Sequence, residues 1–353
     1  MHTLKIAVIP GDGIGQEVVP PAQEALEVAG QRHNIRFEWT PFDWGADYYF
    51  KHGRMMPPTA LELLAPHDAI LLGAVGHTDI PDNVTLNGLL LPIRRGFDQY
   101  ANVRPAVLFD GVESPLKGYG PGQIDMVVVR ENTEGEYAQI GGFLYHHQPD
   151  EVAVQTSVFT RRGCERVIRH AFELARGRRK RVASITKSNA QGYSMVLWDR
   201  VFQRVASEYP DVATESLLVD AAAMNFVRRP ASFDVVVGSN LFGDILSDLS
   251  AIVTGSIGLA ASANLDPSRR FPSMFEPVHG TAPDIFGKGI ANPMATMFSA
   301  AMMLDHLGHP AAAADLNRAL REVLAARTAV TPDLGGTGTT RGVTAAVIER
   351  LRA

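Results

Sequence analysis

The feature that most constrains the fold is an alternation of short β-branched runs with longer segments of helical period. Each run is rich in Val, Ile or Leu and is followed by glycine, asparagine or a charged residue. The runs are KIAVIP (5–10), DAILLGAVG (68–76), IDMVVVRE (124–131), RVASITKSN (181–189) and FDVVVGSN (233–240). Strands that alternate with helices in this way favour an α/β fold built on a substantial parallel sheet.

Charge and composition exclude several classes of protein. The chain carries 33 basic and 38 acidic residues, a net charge of -5, and the two signs are well mixed. Such a surface offers no long-range field to nucleic acid or to an anionic membrane. No run approaches the ~18 apolar residues of a membrane span, and the N-terminus has no basic and apolar leader pattern. Since Cys164 is the single cysteine, we expect a reduced, cytoplasmic protein.

Candidate chemical groups follow the predicted strands. Ligands of open α/β sheets bind beyond the carboxyl ends of the strands. A single charged strand end is most simply a solvated side chain, but several of opposite sign at one sheet edge favour a site. The groups are Arg130 with Tyr137, Lys187 with Asn189, Asp220, and Asp244 with Asp248.

The pair Asp244 and Asp248 has the spacing of neighbours on a helix. We place Ile245, Leu246 and Leu249 on the buried side of that helix. Two like charges at this spacing cost ~0.2–0.5 kcal/mol, which a bound cation would reverse. Oxygen ligands without accompanying Cys or His favour Mg²⁺ or Mn²⁺ over zinc. Taken alone, the pair is more simply two solvated carboxylates.

Arginines in the segments LLLPIRRGFDQY and YANVRP supply candidate anion ligands. The planar guanidinium group is suited to bidentate binding of a carboxylate. Arg94, Arg104 and Arg130 together could hold a doubly anionic substrate, although each alone is more often a surface ion pair. We assign Arg95 to such an ion pair.

Two glycine-containing segments bear on nucleotide binding. GDGIG (11–15) fails the dinucleotide fingerprint GxGxxG because Gln16 stands where the last glycine is required. Its glycines could allow a close approach to a ligand or simply form a tight turn. The second segment, FEPVHGTAPDIFGKGIANP (275–293), is long and aperiodic, which in a compact domain indicates function.

The second segment contains groups suited to an adenosine moiety. His279 offers a ring for stacking, and Gly280 and Ala282 allow a close approach. Asp284 can accept hydrogen bonds from a ribose diol and repel a 2′-phosphate. These features favour NAD over NADP.

Together, these segments resemble the isocitrate/isopropylmalate dehydrogenase family of β-decarboxylating dehydrogenases over essentially the whole chain. The matching motifs are IPGDGIGQEV, YANVRP, VVVRENTEGEY, TKSN, SNLFGDILSDL and EPVHGTAPDIFGKGIANP. The segments WGADYYFKHGRMMP, GAVGHTDIPD, RRGFDQYANVRP and SVFTRRG are most similar to the tartrate and D-malate dehydrogenase branch. The chain departs from that branch before Arg94, with Asn87 in place of Trp and Leu89 in place of a small residue.

The resemblance implies a two-lobed, isopropylmalate-dehydrogenase-like α/β fold with a mixed, largely parallel sheet. Residues 1–99 and 255–353 would form the NAD-binding lobe, and residues 100–254 the lobe for substrate, metal and dimerisation. An arm at about 134–156 would clasp a second copy, giving a homodimer with shared active sites.

The resemblance also implies roles for individual residues. Substrate would be bound by Arg94, Arg104, Arg130 and Leu90. Mg²⁺ or Mn²⁺ would be held by Asp220, Asp244 and Asp248. Tyr137 and Lys187 would be catalytic, with Lys187 and Asp220 reaching in from the partner subunit. NAD would contact Val75, Asn189, His279, Gly280, Ala282, Asp284 and Asn292.

The expected activity is NAD- and metal-dependent oxidation and decarboxylation of a small (2R)-hydroxy diacid of the D-malate or tartrate type. The alternative within the family is 3-isopropylmalate dehydrogenase. A catalytically silent, metabolite-binding regulatory subunit is an alternative of another class, and the presence of Lys187, Tyr137 and the aspartates disfavours it.

Overall fold

The computed structural model describes residues 2–353. The strands in this part of the chain are β1 (His2–Gly11), β2 (Ile35–Pro41), β3 (Ala69–Ala74), β4 (Ala101–Val107), β5 (Asp125–Glu131), β6 (Gly135–Leu144), β7 (Val152–Val158), β8 (Arg181–Thr186), β9 (Ala213–Leu218), β10 (Val235–Gly238), β11 (Ala261–Leu265) and β12 (Ser273–Pro277). All five runs that the sequence marks as strands are strands.

Helices connect most of these strands. They are α1 (Gly15–Arg32), α2 (Ala46–His52), α3 (Ala60–Leu64), α4 (Asp82–Thr85), α5 (Leu91–Gly96), α6 (Arg161–Arg176), α7 (Ser194–Ala206), α8 (Val219–Arg228), α9 (Asn240–Val253), α10 (Met294–His306), α11 (Pro310–Ala326) and α12 (Thr340–Arg352). A π-helical turn, Leu86–Leu90, joins α4 to α5. No helix within residues 2–353 combines the length and the apolar character needed to cross a membrane.

One ten-stranded sheet runs through the molecule in the order β2-β1-β3-β12-β11-β4-β5-β10-β8-β9. The strands are parallel at both ends of this order, and antiparallel pairs join β12 to β11, β11 to β4 and β4 to β5. The mixed, largely parallel sheet confirms the predicted fold class. Residues 100–254 supply β4, β5, β10, β8 and β9, and the flanking segments supply the other five strands.

The sheet topology brings the candidate groups to one edge. Strands β5, β10, β8 and β9 are mutually parallel, so their carboxyl ends lie on the same side. Arg130 lies near the end of β5, α9 follows β10, Lys187 follows β8, and Asp220 follows β9. Neighbouring strands are ~4.8 Å apart, so β8 lies roughly 10 Å from β5 across the sheet.

Strands β6 and β7 form a separate antiparallel hairpin, which we call the arm. Their pairing shifts register between Gly135 and Ile140, so the base of the arm carries a bulge-like irregularity. Glu136 ties this base to the start of α9, since its carboxylate accepts from the Ser239 hydroxyl at 2.7 Å and from the Leu241 amide at 3.1 Å. A carboxylate at a helix N-terminus also interacts favourably with the helix dipole.

Candidate active site

Three of the predicted residues meet around the carboxylate of a fourth, Asp244. Arg104 on β4 and Arg130 on β5 both donate to Oδ1 of Asp244, the former at 3.2 Å. The Tyr137 hydroxyl donates to Oδ2 of the same carboxylate at 2.8 Å. The structure therefore joins residues that are 140 positions apart in the chain into one polar cluster.

The cluster is charged although it is mostly buried. Arg130 is only 2% exposed, and its burial lowers its pKa to about 10 although the charge of Asp244 acts to raise that pKa. Burial also raises the pKa of Asp244, but the charges of Arg130 and Arg104 more than offset it and leave that pKa below its ordinary value. Both groups are therefore ionised near neutral pH.

Two further residues of α9 hold the arginines, and neither was predicted from the sequence. The Asn240 side-chain oxygen accepts from Nε and Nη2 of Arg130 at 3.0 and 2.7 Å. The Ser247 hydroxyl accepts from Arg104 at 2.7 Å. Asn240, Asp244 and Ser247 are spaced by four and three residues, so the helical period could have shown that they share a face.

Arg94 has a buried partner of its own. Its Nη2 lies 2.7 Å from Oε1 of Glu276, which also accepts from Asn264 at 2.8 Å. The Nε of Arg94 is buried without a hydrogen-bond partner in the described chain. Glu276 was not predicted as a site residue, although it lies near the end of β12, where the strand-end rule applies.

Asp248 is the least satisfied carboxylate of the group. Its side chain is 57% exposed, and its ion pair with Arg104 is long, at 3.6 Å. Burial raises the pKa of Asp248, and the nearby charge of Asp244 adds to this effect. A cation bound between the two carboxylates would relieve both effects.

Tyr137 lies in the irregular base of the arm, where its phenol is kept neutral. Burial raises the pKa of Tyr137, and the charge of Asp244 raises it further. The guanidinium of Arg130 lies 5.0 Å from the ring centroid. The phenol is therefore protonated near neutral pH and has a proton to donate.

Arg95 does not form the surface ion pair that we expected. Its guanidinium donates to the Tyr137 carbonyl at 2.5 Å and to the Gln139 side chain at 3.0 Å. Neither of these acceptors is a carboxylate. The prediction was wrong because a bulged arm presents backbone and amide acceptors that periodicity does not reveal.

Lys187 and Asp220 form a second, separate group. Lys187 Nζ lies 2.5 Å from Oδ1 of Asp220, and this hydrogen bond lowers the pKa of Asp220. Within the described chain, Asp220 does not join Asp244 and Asp248 in a cluster of three metal-ligating groups. A single chain thus brings together only two of the three predicted metal ligands.

The predicted nucleotide-binding residues also fall into two groups within one chain. His279, Gly280, Ala282, Asp284 and Asn292 lie on the long segment after β12, and Val75 directly follows β3, which neighbours β12. Asn189 follows β8, five strands across the sheet from β12, or roughly 24 Å.

The nucleotide segment contains an unsatisfied polar atom. His279 is buried, its Nδ1 lies 3.0 Å from the Gly280 carbonyl, and its Nε2 has no hydrogen-bond partner in residues 2–353. Burial lowers the pKa of His279, so its ring is neutral. A Cβ added at Gly280 would meet no protein atom within 4 Å, so the space beside it is open. Asp284 is exposed.

The glycines of GDGIG are required by the geometry of a tight turn. Gly11 and Gly13 have φ of +68° and +52°, and a Cβ on them would lie 2.0 and 2.3 Å from the carbonyl oxygens of Ala74 and Thr281. Such contacts are impossible for other residues. Between the two open interpretations, this geometry favours a tight turn packed against neighbouring backbone.

The segment before Arg94 contains the π-helical turn Leu86–Leu90. Such turns often mark functional sites. Leu89 is fully buried, whereas Leu90 keeps 8% exposure and Asn87 donates to the Asn83 carbonyl at 2.7 Å. The unusual Leu89 is therefore a core residue.

Comparison with known proteins identifies the family. The sequence profile described as isocitrate/isopropylmalate dehydrogenase matches residues 5–350. The chain belongs to the isocitrate/isopropylmalate dehydrogenase family. Among solved structures, it is similar to the isocitrate dehydrogenase from Methylococcus capsulatus, with a TM-score of 0.90, 38% sequence identity and full coverage of both chains.

Relatives within the dehydrogenase family carry more specific names. The chain is 52% identical to a probable tartrate dehydrogenase/decarboxylase of Agrobacterium vitis, over 98% of this chain and 96% of the relative. It is 50% identical to the D-malate dehydrogenase [decarboxylating] of Escherichia coli strain K12, over 98% of each chain. The resemblance to the tartrate and D-malate branch is therefore confirmed.

Proposed function

We propose that this protein oxidises and decarboxylates a small (2R)-hydroxy diacid of the D-malate or tartrate type, using NAD and Mg²⁺ or Mn²⁺. The observation that carries the proposal is the cluster in which Arg104, Arg130 and Tyr137 converge on Asp244, with Asp248 beside it. Relatives at about half identity are named for this chemistry. The cluster combines anion ligands, metal ligands and a neutral proton donor.

The substrate carboxylates are assigned to the arginines. Arg94, Arg104 and Arg130 are all buried, and within the chain their charges are balanced mainly by Glu276 and the aspartates. A substrate carboxylate can replace Asp244 as the partner of Arg104 and Arg130. This exchange would free the oxygens of Asp244 for a cation.

The residues present fit a hard divalent cation. Asp244 and Asp248 offer oxygen atoms only, and Asp248 is incompletely paired. Asp220 would complete the set from the partner subunit. When bound, the ion supplies Lewis acidity at the substrate's hydroxyl oxygen and at the ketone that replaces it.

The segment after β12 fits the adenosine half of NAD. The unpartnered Nε2 of His279, the open space at Gly280 and the exposed Asp284 are unexplained by the fold itself. We assign Val75, Ala282 and Asn292 to the same site. We assign Asn189 of the other subunit to the end of the NAD site away from the adenosine half. NAD supplies the hydride acceptor, and Asp284 would repel the 2′-phosphate of NADP.

The chain's own residues move the protons. Lys187 accepts the hydroxyl proton as the C2 hydrogen leaves as hydride. Loss of the β-carboxylate as CO₂ leaves an electron pair on the adjacent carbon, and Tyr137 protonates that carbon. The arginines hold the remaining carboxylate during both steps.

We further propose a homodimer that shares its active sites. Met224 and Val227 on α8 and Ile245 and Ile252 on α9 are 48–64% exposed, and the two helices pack side by side. Ile245 was expected on the buried side of its helix, and its 54% exposure corrects that prediction. A second copy of this face would bury these side chains and bring Lys187 and Asp220 to the other chain's Asp244.

The arm supports the same assembly. It is a two-stranded ribbon with exposed Ile140, Phe143, Leu144, Val152 and Val154. An isolated two-stranded hairpin is at best marginally stable in water. We propose that the arm pairs with a second copy as a clasp. We also propose that residues 100–254, which include the arm, form one lobe and that residues 1–99 and 255–353 form the other.

The runner-up substrate is 3-isopropylmalate. Leu90 is the residue that favours it. It stands four residues before Arg94 and keeps 8% exposure, and contact between its side chain and an isopropyl group could gain ~1–3 kcal/mol. Leu89 gives no such support, since it is fully buried.

The test is NAD(P)H production by the purified protein with Mn²⁺ against D-malate, tartrate, 3-isopropylmalate and isocitrate. We expect the highest kcat/KM on D-malate or tartrate with NAD, and loss of activity in chelator that Mn²⁺ restores. A higher kcat/KM on 3-isopropylmalate would select the runner-up. Equal efficiency with NADP, or full turnover in chelator, would reject the cofactor or metal assignment.

A further inference from the structure

A cluster of metal-ligating side chains lies at the tip of the arm, away from the candidate active site at its base. The tip has the sequence YHHQPDE (145–151). One ligand atom each from His146, His147 and Glu151 lies within 4.8 Å of the others. No other group of three such residues was found in residues 2–353.

The backbone of the tip turns the two histidines to the same side. Consecutive residues of a strand point to opposite faces. Here Tyr145 and His147 adopt left-handed φ angles of 54° and 64°, which side-chain-bearing residues seldom occupy. As a result, the rings of His146 and His147 lie with centroids 3.6 Å apart.

The carboxylate comes from the other side of the turn. Glu151 immediately precedes β7, and its Oε1 contacts Nδ1 of His146, which follows β6 closely. The tip is closed by hydrogen bonds from the Gln148 amide to the Tyr145 carbonyl at 2.9 Å and from the Glu151 amide to the Gln148 carbonyl at 3.1 Å. A ligand held by His146 and Glu151 would therefore bridge the two strands of the arm.

We propose that the arm tip binds one first-row transition-metal ion per chain, of the Zn²⁺ type. Two imidazole nitrogens and one carboxylate oxygen form a donor set that suits zinc and its neighbours, whereas Mg²⁺ prefers oxygen ligands alone. His146 is about half exposed and Glu151 one-third exposed, so water can complete the coordination. The ion clips β6 to β7 at the end of the arm.

The site is tested on the tag-free full-length protein after chelator treatment, with excess Mg²⁺ present to occupy the aspartates. Zn²⁺ binding is measured by calorimetry, and Co²⁺ binding by its visible absorption. We expect one equivalent per chain. His147→Ala and Glu151→Gln should each weaken Zn²⁺ binding by more than the roughly 10- to 100-fold that loss of an outer-sphere contact costs.

Two matched controls separate this site from adventitious binding. Asp150→Asn removes a charge from the same tip outside the cluster, and His309→Ala removes one member of the His2–His309 pair, which has no third ligand. Both should bind Zn²⁺ like the wild type. Binding that is absent, that survives His147→Ala unchanged, or that saturates at one ion per two chains would overturn the proposal.

Discussion

The hydroxyl group of Tyr137 lies where ionisation is unfavourable, because burial and the charge of Asp244 both raise its pKa. It therefore remains a proton donor throughout the range in which the carboxylates around it are ionised. Its only role in the proposed reaction is to protonate carbon after CO₂ has left.

Tyr137→Phe tests that role by removing one oxygen atom. We expect kcat on D-malate to fall by roughly 10²- to 10⁴-fold with little change in KM, the usual effect of losing a positioned proton donor. Tyr145→Phe, on the same arm, is the matched control and should behave like the wild type in steady-state kinetics. A Tyr137→Phe enzyme within twofold of wild-type kcat would remove Tyr137 from the mechanism.

Substitution of Asp248 should weaken metal binding without lowering the stability of the metal-free protein. Asp248→Asn removes a like-charge repulsion with Asp244 that costs ~0.2–0.5 kcal/mol, and it also removes the long, exposed ion pair with Arg104, so the metal-free protein should unfold at about the same temperature. The same change removes a proposed ligand and should raise the Mn²⁺ concentration for half-maximal activity at least about tenfold. Asp79→Asn, at an exposed carboxylate, is the control. An unchanged Mn²⁺ requirement would contradict the ligand assignment.

At the scale of elements, α8 and α9 present apolar side chains that the chain itself does not cover. Ile252→Lys places a charge on that face, eight residues from Asp244. We expect the variant to be monomeric in light scattering at concentrations where the wild type is a dimer, with an unchanged circular dichroism spectrum. Its activity should also be lost, because Lys187 and Asp220 then have no partner site.

The control for Ile252→Lys is Leu63→Lys on α3, where the leucine is also exposed. It should remain dimeric and active. A dimeric Ile252→Lys protein would show that α9 is not in the interface.

The regular elements were predictable because their signal is local. Each predicted strand is a β-branched run of the right length, and the long helices have clear apolar periods. The failures have non-local causes. Ile245 fits the apolar period of α9 but is exposed in the single chain. Arg95 donates to the backbone of a bulged arm, whose register cannot be predicted from residue types.

At the scale of the whole molecule, the residues of the candidate site come from strand ends that the sheet order separates. Arg130, Lys187, Asp220 and Asp244 were predicted because they lie at or after the carboxyl ends of predicted strands. Glu276 was not predicted, and its partner Arg94 is 182 positions away. Sequence position cannot reveal that the aspartates form two groups. That division depends on the order β5-β10-β8-β9 and is the structural reason to expect a shared site.

Subunit complementation tests the shared site most directly. Lys187→Ala and Asp244→Asn homodimers should each be inactive, because two-fold symmetry makes both sites equivalent. After the two are mixed, dissociated and reassociated, about half of the dimers are mixed by random pairing, and each contains one site with both groups intact. We therefore predict the return of roughly a quarter of wild-type activity by the same counting. If Lys187 instead served the Asp244 of its own chain, every site would carry a lesion, and the absence of any recovered activity would contradict the account.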